Sequence, residues 1–173
     1  MKFLIVCFIS LFLFANEVYF LPKEGFKAQK KIIYLITHSK HSIDIIMYAF
    51  TNKKIAKALK LAAKHNVKIT VIADKEEAKY ERSVIPNLAV IRNINIHLLN
   101  GKSFKNGKFG KLHAKVAIID NEYLITGSAN YTYSAFFKNY EYIIIHTDKN
   151  LINKFDKFFY YLNSISKPYR LSR

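Results

Sequence analysis

A histidine, a lysine and four further residues stand at spacings that suit phosphoryl chemistry. They are His113, Lys115, Asp120, Gly127, Ser128 and Asn130. An imidazole can act as a nucleophile or carry a proton. An ammonium group, a hydroxyl and an amide can hold non-bridging oxygens whose charge grows in the transition state. The set therefore predicts a site for a phosphoryl group.

Two strands are expected to position this set. Residues 112–119 and 122–126 are predicted strands that flank a turn-forming Asp-Asn pair, which predicts an antiparallel hairpin. Alternation along the first strand puts His113 and Lys115 on one face. The other face can pack into the core through Leu112, Ala114, Val116 and Ile118. Gly127 then lets the chain turn, so that the hydroxyl and the amide can converge beside the histidine.

The pattern H-x-K-x4-D followed by G-S-x-N resembles the signature of the phospholipase D superfamily, and no signature position departs from it. The likeness covers most of the chain beyond residue 15: the strand ending in Met47–Thr51, the helix after it, residues 67–74, the hairpin and Asn139-Tyr140-Glu141. The sequence looks most similar to the small bacterial endonucleases of that superfamily, which carry one motif per chain and an export signal.

The resemblance implies a homodimer in which two motifs meet across a two-fold axis to form one active site. His113 of one subunit would attack phosphorus and form a phosphohistidine, and the partner's His113 would protonate the leaving oxygen. Water would then complete the hydrolysis, with no cofactor and no metal.

The resemblance also assigns roles to the neighbouring residues. Lys115 and Asn130 correspond to the phosphate ligands, and Ser128 belongs to the same pocket. Asp120 matches the aspartate of the motif, which we interpret as structural, tying the hairpin turn. Glu141 matches the acidic residue that accepts a hydrogen bond from the histidine and fixes its tautomer.

Composition favours a polyanionic substrate. The chain has 173 residues and a net charge of +16, from 28 Lys and Arg against 12 Asp and Glu. Its 51% hydrophobic content excludes a disordered protein and predicts a buried core. Nucleic acid and anionic membrane are the abundant polyanions that such a charge attracts. A genome rich in A and T would also produce many lysines, so the net charge alone does not establish that the protein binds a polyanion.

A loop between residues 101 and 111 is the predicted contact with the substrate backbone. It holds four lysines that could contact phosphates and two rings that could stack: Lys102, Lys105, Lys108, Lys111, Phe104 and Phe109. The alternative is a mobile, solvated loop. Tyr48 is a further candidate to line the cleft, although core packing competes as an explanation.

The first fifteen residues resemble a signal peptide. Phe3–Ala15 is apolar except for Ser10, is too short to span a membrane, and offers a cleavage point before Asn16. An uncleaved anchor that continues through Leu21 is the alternative, and only that would bring the protein to a membrane. We expect export to the periplasm or cell envelope. Cleavage would remove Cys7 and leave no cysteine for a disulfide or a zinc site.

The rest of the chain, residues 16–173, is predicted to form one domain. Apolar segments that read as strands alternate with amphipathic helices as far as residue 99. We expect an α/β fold with a mixed, largely parallel central sheet, helices on both faces and a C-terminal antiparallel hairpin that carries the motif. The other histidines show no metal-ligand spacing, so no metal site is predicted.

Three functions fit these observations. The first is an exported, metal-independent endonuclease that cuts DNA, single strands included, or RNA with little sequence preference. The second keeps the chemistry and changes the substrate to a phospholipid, as in a phospholipase D or phosphatidyl transferase. The third is a protein that binds or takes up DNA with slow or no catalysis.

Overall fold

The computed structural model describes residues 16–170. Within this range one mixed sheet is flanked by helices. The strands are β1 (Glu17–Leu21), β2 (Ser42–Met47), β3 (Lys68–Asp74), β4 (Ile94–Leu99), β5 (Lys115–Ile119), β6 (Tyr123–Gly127), β7 (Glu141–His146) and β8 (Lys167–Pro168). The helices are α1 (Gly25–Thr37), α2 (Lys53–Lys64), α3 (Ile85–Ala89), α4 (Tyr133–Phe137) and α5 (Lys149–Ile165).

The strand order across the sheet is β1-β7-β6-β5-β2-β3-β4-β8. Strands β2, β3 and β4 run parallel because helical crossovers join them, and every other neighbouring pair among the described residues is antiparallel. The predicted mixed α/β fold and its antiparallel hairpin are confirmed. The sheet is less parallel than expected, because the chain returns antiparallel to β2 as β5 and continues as a meander through β6 and β7.

Helices cover both faces of the sheet, as predicted. On one face α1, α2, α3 and α4 bury Ile32, Leu59 and Phe136 against strand residues such as Ile45 and Val71. On the other face α5 buries a second cluster, composed of Ile46, Ile72, Leu112, Val116, Ile118, Leu124, Ile152, Phe159 and Leu162. Strand β5 is buried on both faces, which explains its continuous apolar sequence.

Strand β1 was not anticipated. It pairs antiparallel with β7, in a register that places Glu17 opposite Ile145 and Leu21 opposite Glu141. The residues considered as a continuation of a membrane anchor therefore form a sheet edge. No helix within residues 16–170 is long and apolar enough to cross a membrane. The apolar segment before Asn16 lies outside the described residues, so both the signal peptide and the anchor stay predictions.

The connectivity brings separate parts of the chain to one edge of the sheet. Met47, at the end of β2, lies opposite Lys115, at the start of β5. Gly127, at the end of β6, lies opposite Ile143, near the start of β7. This edge is called the catalytic edge below, because it collects the predicted site residues from four strands.

Candidate active site

His113 and Lys115 lie together at the catalytic edge. His113 precedes β5 and is exposed, whereas Lys115 begins the strand and is only 7% exposed. The Lys115 ammonium group folds back along the chain. Its Nζ lies 2.9 Å from His113 Nδ1 and donates a 2.6 Å hydrogen bond to the His113 carbonyl oxygen. The two side chains that alternation predicted on one face are in direct contact.

Tyr48 forms a wall of this site. Its ring centroid lies 4.8 Å from that of His113. The Lys111 ammonium group donates a 2.8 Å hydrogen bond to the Tyr48 hydroxyl and lies 5.1 Å from the ring centroid. The Lys115 ammonium group lies 5.4 Å from the same centroid. Tyr48 therefore holds two cations beside one imidazole, and cation–π attraction stabilises that arrangement.

The two lysines differ electrostatically. Burial lowers the pKa of Lys115, and the negative charge of Glu141 opposes that shift. The hydrogen bond to Tyr48 raises the pKa of Lys111 at the exposed rim of the site. An anionic phosphoryl group bound beside these lysines would favour the charged form of Lys115, which burial disfavours.

Ser128 and Asn130 follow β6 and close the site on the side of β7. The Ser128 hydroxyl accepts a 3.1 Å hydrogen bond from the Tyr142 amide. Asn130 Oδ1 accepts a 3.2 Å hydrogen bond from the Ala49 amide, which leaves its Nδ2 group as a donor. Gly127, at φ +152°, makes this turn possible, since a Cβ there would overlap the Tyr142 carbonyl oxygen.

Glu141 lies at the catalytic edge but makes a different contact from the expected one. Its Oε1 accepts a 3.4 Å hydrogen bond from Asn139 Nδ2. Within residues 16–170, Glu141 forms no hydrogen bond with the His113 ring. The distance is long, so the carboxylate is weakly held. Its negative charge nevertheless raises the pKa of Lys115, against the larger effect of burial.

Asp120 lies at the opposite end of β5 from Lys115. Its carboxylate accepts hydrogen bonds from the backbone amides of Lys40, His41 and Ser42, at 2.7, 2.8 and 3.0 Å. It thus ties the hairpin turn, where its φ is +51°, to the loop before β2. The structural interpretation fits this placement.

Residues 101–110 form a small arm that is held together by backbone hydrogen bonds and is not an irregular loop. Gly101 and Gly110 are joined through their backbones, and Ser103 pairs with Phe109. Phe104 and Phe109 are 60% and 57% exposed. The exposed lysines of the arm are Lys102, Lys105 and Lys108. Among the four lysines predicted to bind substrate, Lys111 reaches another predicted site residue, Tyr48.

Comparison with known proteins decides the family. Residues 32–162 match the family described as "Cardiolipin synthase, PLD-like domain". The chain belongs to the phospholipase D superfamily. Family and enzyme class therefore agree with the prediction from the sequence.

Solved structures support this phospholipase D-like assignment. NucT from Helicobacter pylori superimposes with a TM-score of 0.87 at 32% identity, covering 90% of this chain and 99% of that one. The phospholipase D family member Nuc from Salmonella typhimurium gives 0.76 at 26% identity, covering 91% and 99%. The mitochondrial cardiolipin hydrolase of Xenopus laevis is 24% identical over 132 residues, which are 76% of this chain and 59% of that protein. The chain spans about half to three-fifths of the length of the cardiolipin hydrolases it matches.

Sequence reasoning missed one positioning residue of this phospholipase D-like site. Asp74, at the end of β3, is 3% exposed, and its Oδ2 accepts a 2.9 Å hydrogen bond from the Leu112 amide. Its Oδ1 accepts from the amides of Glu76 and Glu77. It therefore fixes the backbone one residue before His113. An aspartate at the carboxyl end of a parallel strand was the available signal.

Proposed function

We propose that this protein is a phosphodiesterase that hydrolyses DNA with little sequence specificity. One observation carries the proposal: the exposed His113 imidazole contacts the Lys115 ammonium group and packs against the Tyr48 ring, whose hydroxyl accepts a hydrogen bond from Lys111. An imidazole in contact with a cation suits attack on a phosphodiester. The net charge of +16 and the lysines of the arm favour nucleic acid as the diester.

In the proposed reaction His113 Nε2 attacks phosphorus and the bond to the leaving oxygen breaks, which gives a phosphohistidine. Lys115 and Asn130 Nδ2 stabilise the non-bridging oxygens. The leaving oxygen takes its proton from a second imidazole, which becomes neutral. That imidazole then accepts a proton from water, and the water attacks phosphorus, breaks the bond to His113 and completes hydrolysis. Since each chain carries one motif, a homodimer with two-fold symmetry would provide the second imidazole.

The contact between Lys115 and His113 links substrate binding to the histidine tautomer. When Lys115 donates to Nδ1, the proton of a neutral ring is on Nε2, the atom required for attack. A phosphate oxygen that draws the ammonium group away frees Nδ1 to carry the proton. The nearby Glu141 carboxylate is then the acceptor that holds this tautomer.

A lipid substrate is the second candidate, because curated relatives are named cardiolipin hydrolases. The chemistry at phosphorus would be the same, and the diester would lie in a membrane. Export to the periplasm or cell envelope belongs to the first proposal and rests on the apolar segment Phe3–Ala15.

The deciding experiment compares the full chain with His113→Ala in excess EDTA. We expect the wild type to cut single- and double-stranded DNA and the variant to lose cutting while its DNA affinity is retained. Cardiolipin and phosphatidylcholine vesicles are offered in parallel. Hydrolysis of lipid alone would favour the second candidate. A folded dimer that binds DNA and hydrolyses neither substrate would leave only a DNA-binding protein.

A further inference from the structure

A second basic surface lies beside the catalytic edge, between α1, α2 and α4. It is a groove of about 1060 Å³. Five cationic side chains line it against a single acidic one, Glu81: Lys53, Lys54, Lys57, Lys60 and Arg82. None of these cations forms a salt bridge within residues 16–170. Such a concentration of unpaired positive charge attracts a polyanion.

Aromatic rings stand among these cations. Phe26 is 71% exposed and Tyr133 is 64% exposed, although both line a groove that could bury them. The Lys54 ammonium group lies 5.8 Å from the Phe26 ring centroid. Exposed rings interleaved with lysines are the arrangement that holds single-stranded nucleic acid, because bases stack on rings while phosphates meet cations.

Two short segments connect the groove to the active site. Thr51, in the groove, follows Tyr48 by three residues, and Tyr133 follows Asn130 by three, so each lies within about 11 Å of the site along the chain. Both segments are fixed to each other, since the amides of Thr51 and Asn52 donate to the Tyr131 carbonyl oxygen at 2.9 Å. The groove and the active site share one rigid wall.

We propose that this groove is an accessory site for single-stranded nucleic acid, which holds the nucleotides next to the phosphodiester bound at His113. The inference rests on the proposed function for its substrate class. Strand ends reaching past His113 would lie between α1 and α2, with phosphates on the lysines of α2 and a base on Phe26.

The test measures binding of fluorescent single-stranded dT20 to the full chain in a His113→Ala background. Lys53→Gln with Lys57→Gln removes two groove cations. The matched control, Lys154→Gln with Lys157→Gln, removes two exposed cations from α5 on the opposite face. Each lost contact flattens the dependence of log affinity on log salt by about 0.7, so the groove pair should lower that slope by about 1.4 and weaken binding about 25-fold at 0.1 M salt.

Phe26→Ala should weaken binding at least about fivefold through loss of stacking, with little change in the salt slope. The control pair should shift affinity less than threefold. Equal effects of the groove and control pairs, or wild-type affinity in both groove variants, would overturn the inference. The inference would also be overturned if the groove variants lost binding to anionic vesicles and kept wild-type affinity for dT20. Melting temperatures establish that each variant is folded.

Activity assays on proteins that retain His113 separate this inference from the proposed function. Groove variants should raise KM for dT20 and leave hydrolysis of the small diester bis(p-nitrophenyl) phosphate unchanged. If the wild-type protein hydrolyses neither substrate, the nuclease proposal is refuted, and the binding assay still tests the accessory site. If the wild type cleaves dT20 and the groove variants bind dT20 as tightly as it does, only the accessory site is refuted.

Discussion

The Lys115 ammonium group lies 2.9 Å from His113 Nδ1 while almost wholly shielded from solvent. Desolvation lowers the pKa of this lysine, so its charge depends on the anions around it. The Lys115 ammonium group donates to the His113 ring and to the His113 carbonyl oxygen. A phosphoryl oxygen would replace the ring as its partner, which makes Lys115 responsive to the presence of substrate.

Replacing Glu141 by Gln should move the alkaline limb of the activity profile to lower pH. The carboxylate of Glu141 raises the pKa of Lys115 against the effect of burial, and the neutral amide cannot. Lys115 would then lose its proton at a lower pH. The measurement is kcat/KM against pH, with Glu122→Gln on the hairpin turn as the control. An unchanged alkaline limb would contradict this coupling.

Two substitutions at Tyr48 should separate its hydroxyl from its ring. Tyr48→Phe removes the partner of Lys111 and keeps the ring beside His113, so we expect KM to rise about fivefold with kcat nearly constant. Tyr48→Ala removes the ring as well and should lower kcat about tenfold or more. Steady-state kinetics on one oligonucleotide distinguish the two. Equal losses in both variants would mean that the ring has no role of its own.

Asp120→Asn should reduce stability and spare catalysis. The carboxylate accepts three backbone hydrogen bonds at the end of β5 away from His113. Asparagine tolerates the positive φ of this turn, so the change removes charge without straining the backbone. We expect a loss of about 1.5–3 kcal/mol in urea unfolding and unchanged kcat per folded molecule. Asn121→Asp, at the neighbouring position, is the control. A large fall in kcat would instead assign Asp120 to the site.

The contribution of Asp44 to the free energy of unfolding should fall as pH rises from about 4 to 6. Burial, followed by the charge of Asp156, raises the pKa of Asp44 to about 6, so the folded state holds a proton that the unfolded state releases near 3.8. Stability from this group is complete below pH 3.8 and is lost as pH passes 6.

Asp44→Asn should remove that decline. Relative to wild type, the variant should gain up to about 3 kcal/mol between pH 4 and 7, measured by urea unfolding. Glu122→Gln, an exposed carboxylate, serves as the reference substitution. If the free energy of unfolding depends on pH in the same way in Asp44→Asn and in the wild type, Asp44 is not the group responsible.

Local spacing was enough to predict the contact between His113 and Lys115, because two residues of separation on an extended chain put side chains on one side. Hydrophobic periodicity likewise located α1, α2, α3, α5 and most strands, but the five-residue helix α4 was missed. Periodicity carries no information on which strands become neighbours, so the antiparallel docking of β5 on β2 could not be read from it. That docking is what places Tyr48 against His113.

The groove between α1 and α2 could not be predicted from the sequence either. The lysines of α2 read as a solvated helix face, and Phe26, Arg82 and Tyr133 belong to three separate segments. Only packing of α1 against α2 and α4 collects them. The fold near Asp74 shows the same limit, since its hydrogen bond to Leu112 joins residues 38 positions apart.

The pairing of β1 with β7 sets the direction in which the chain leaves the domain. Leu21 is opposite Glu141 at the catalytic edge, whereas Asn16 hydrogen-bonds His146 at the far edge. Any tether formed by the residues before Asn16 would therefore attach at the pole opposite His113. A protein held to a bilayer in this way would present its active site outward, toward dissolved polymers, and would have to reorient to reach a lipid headgroup in the same membrane.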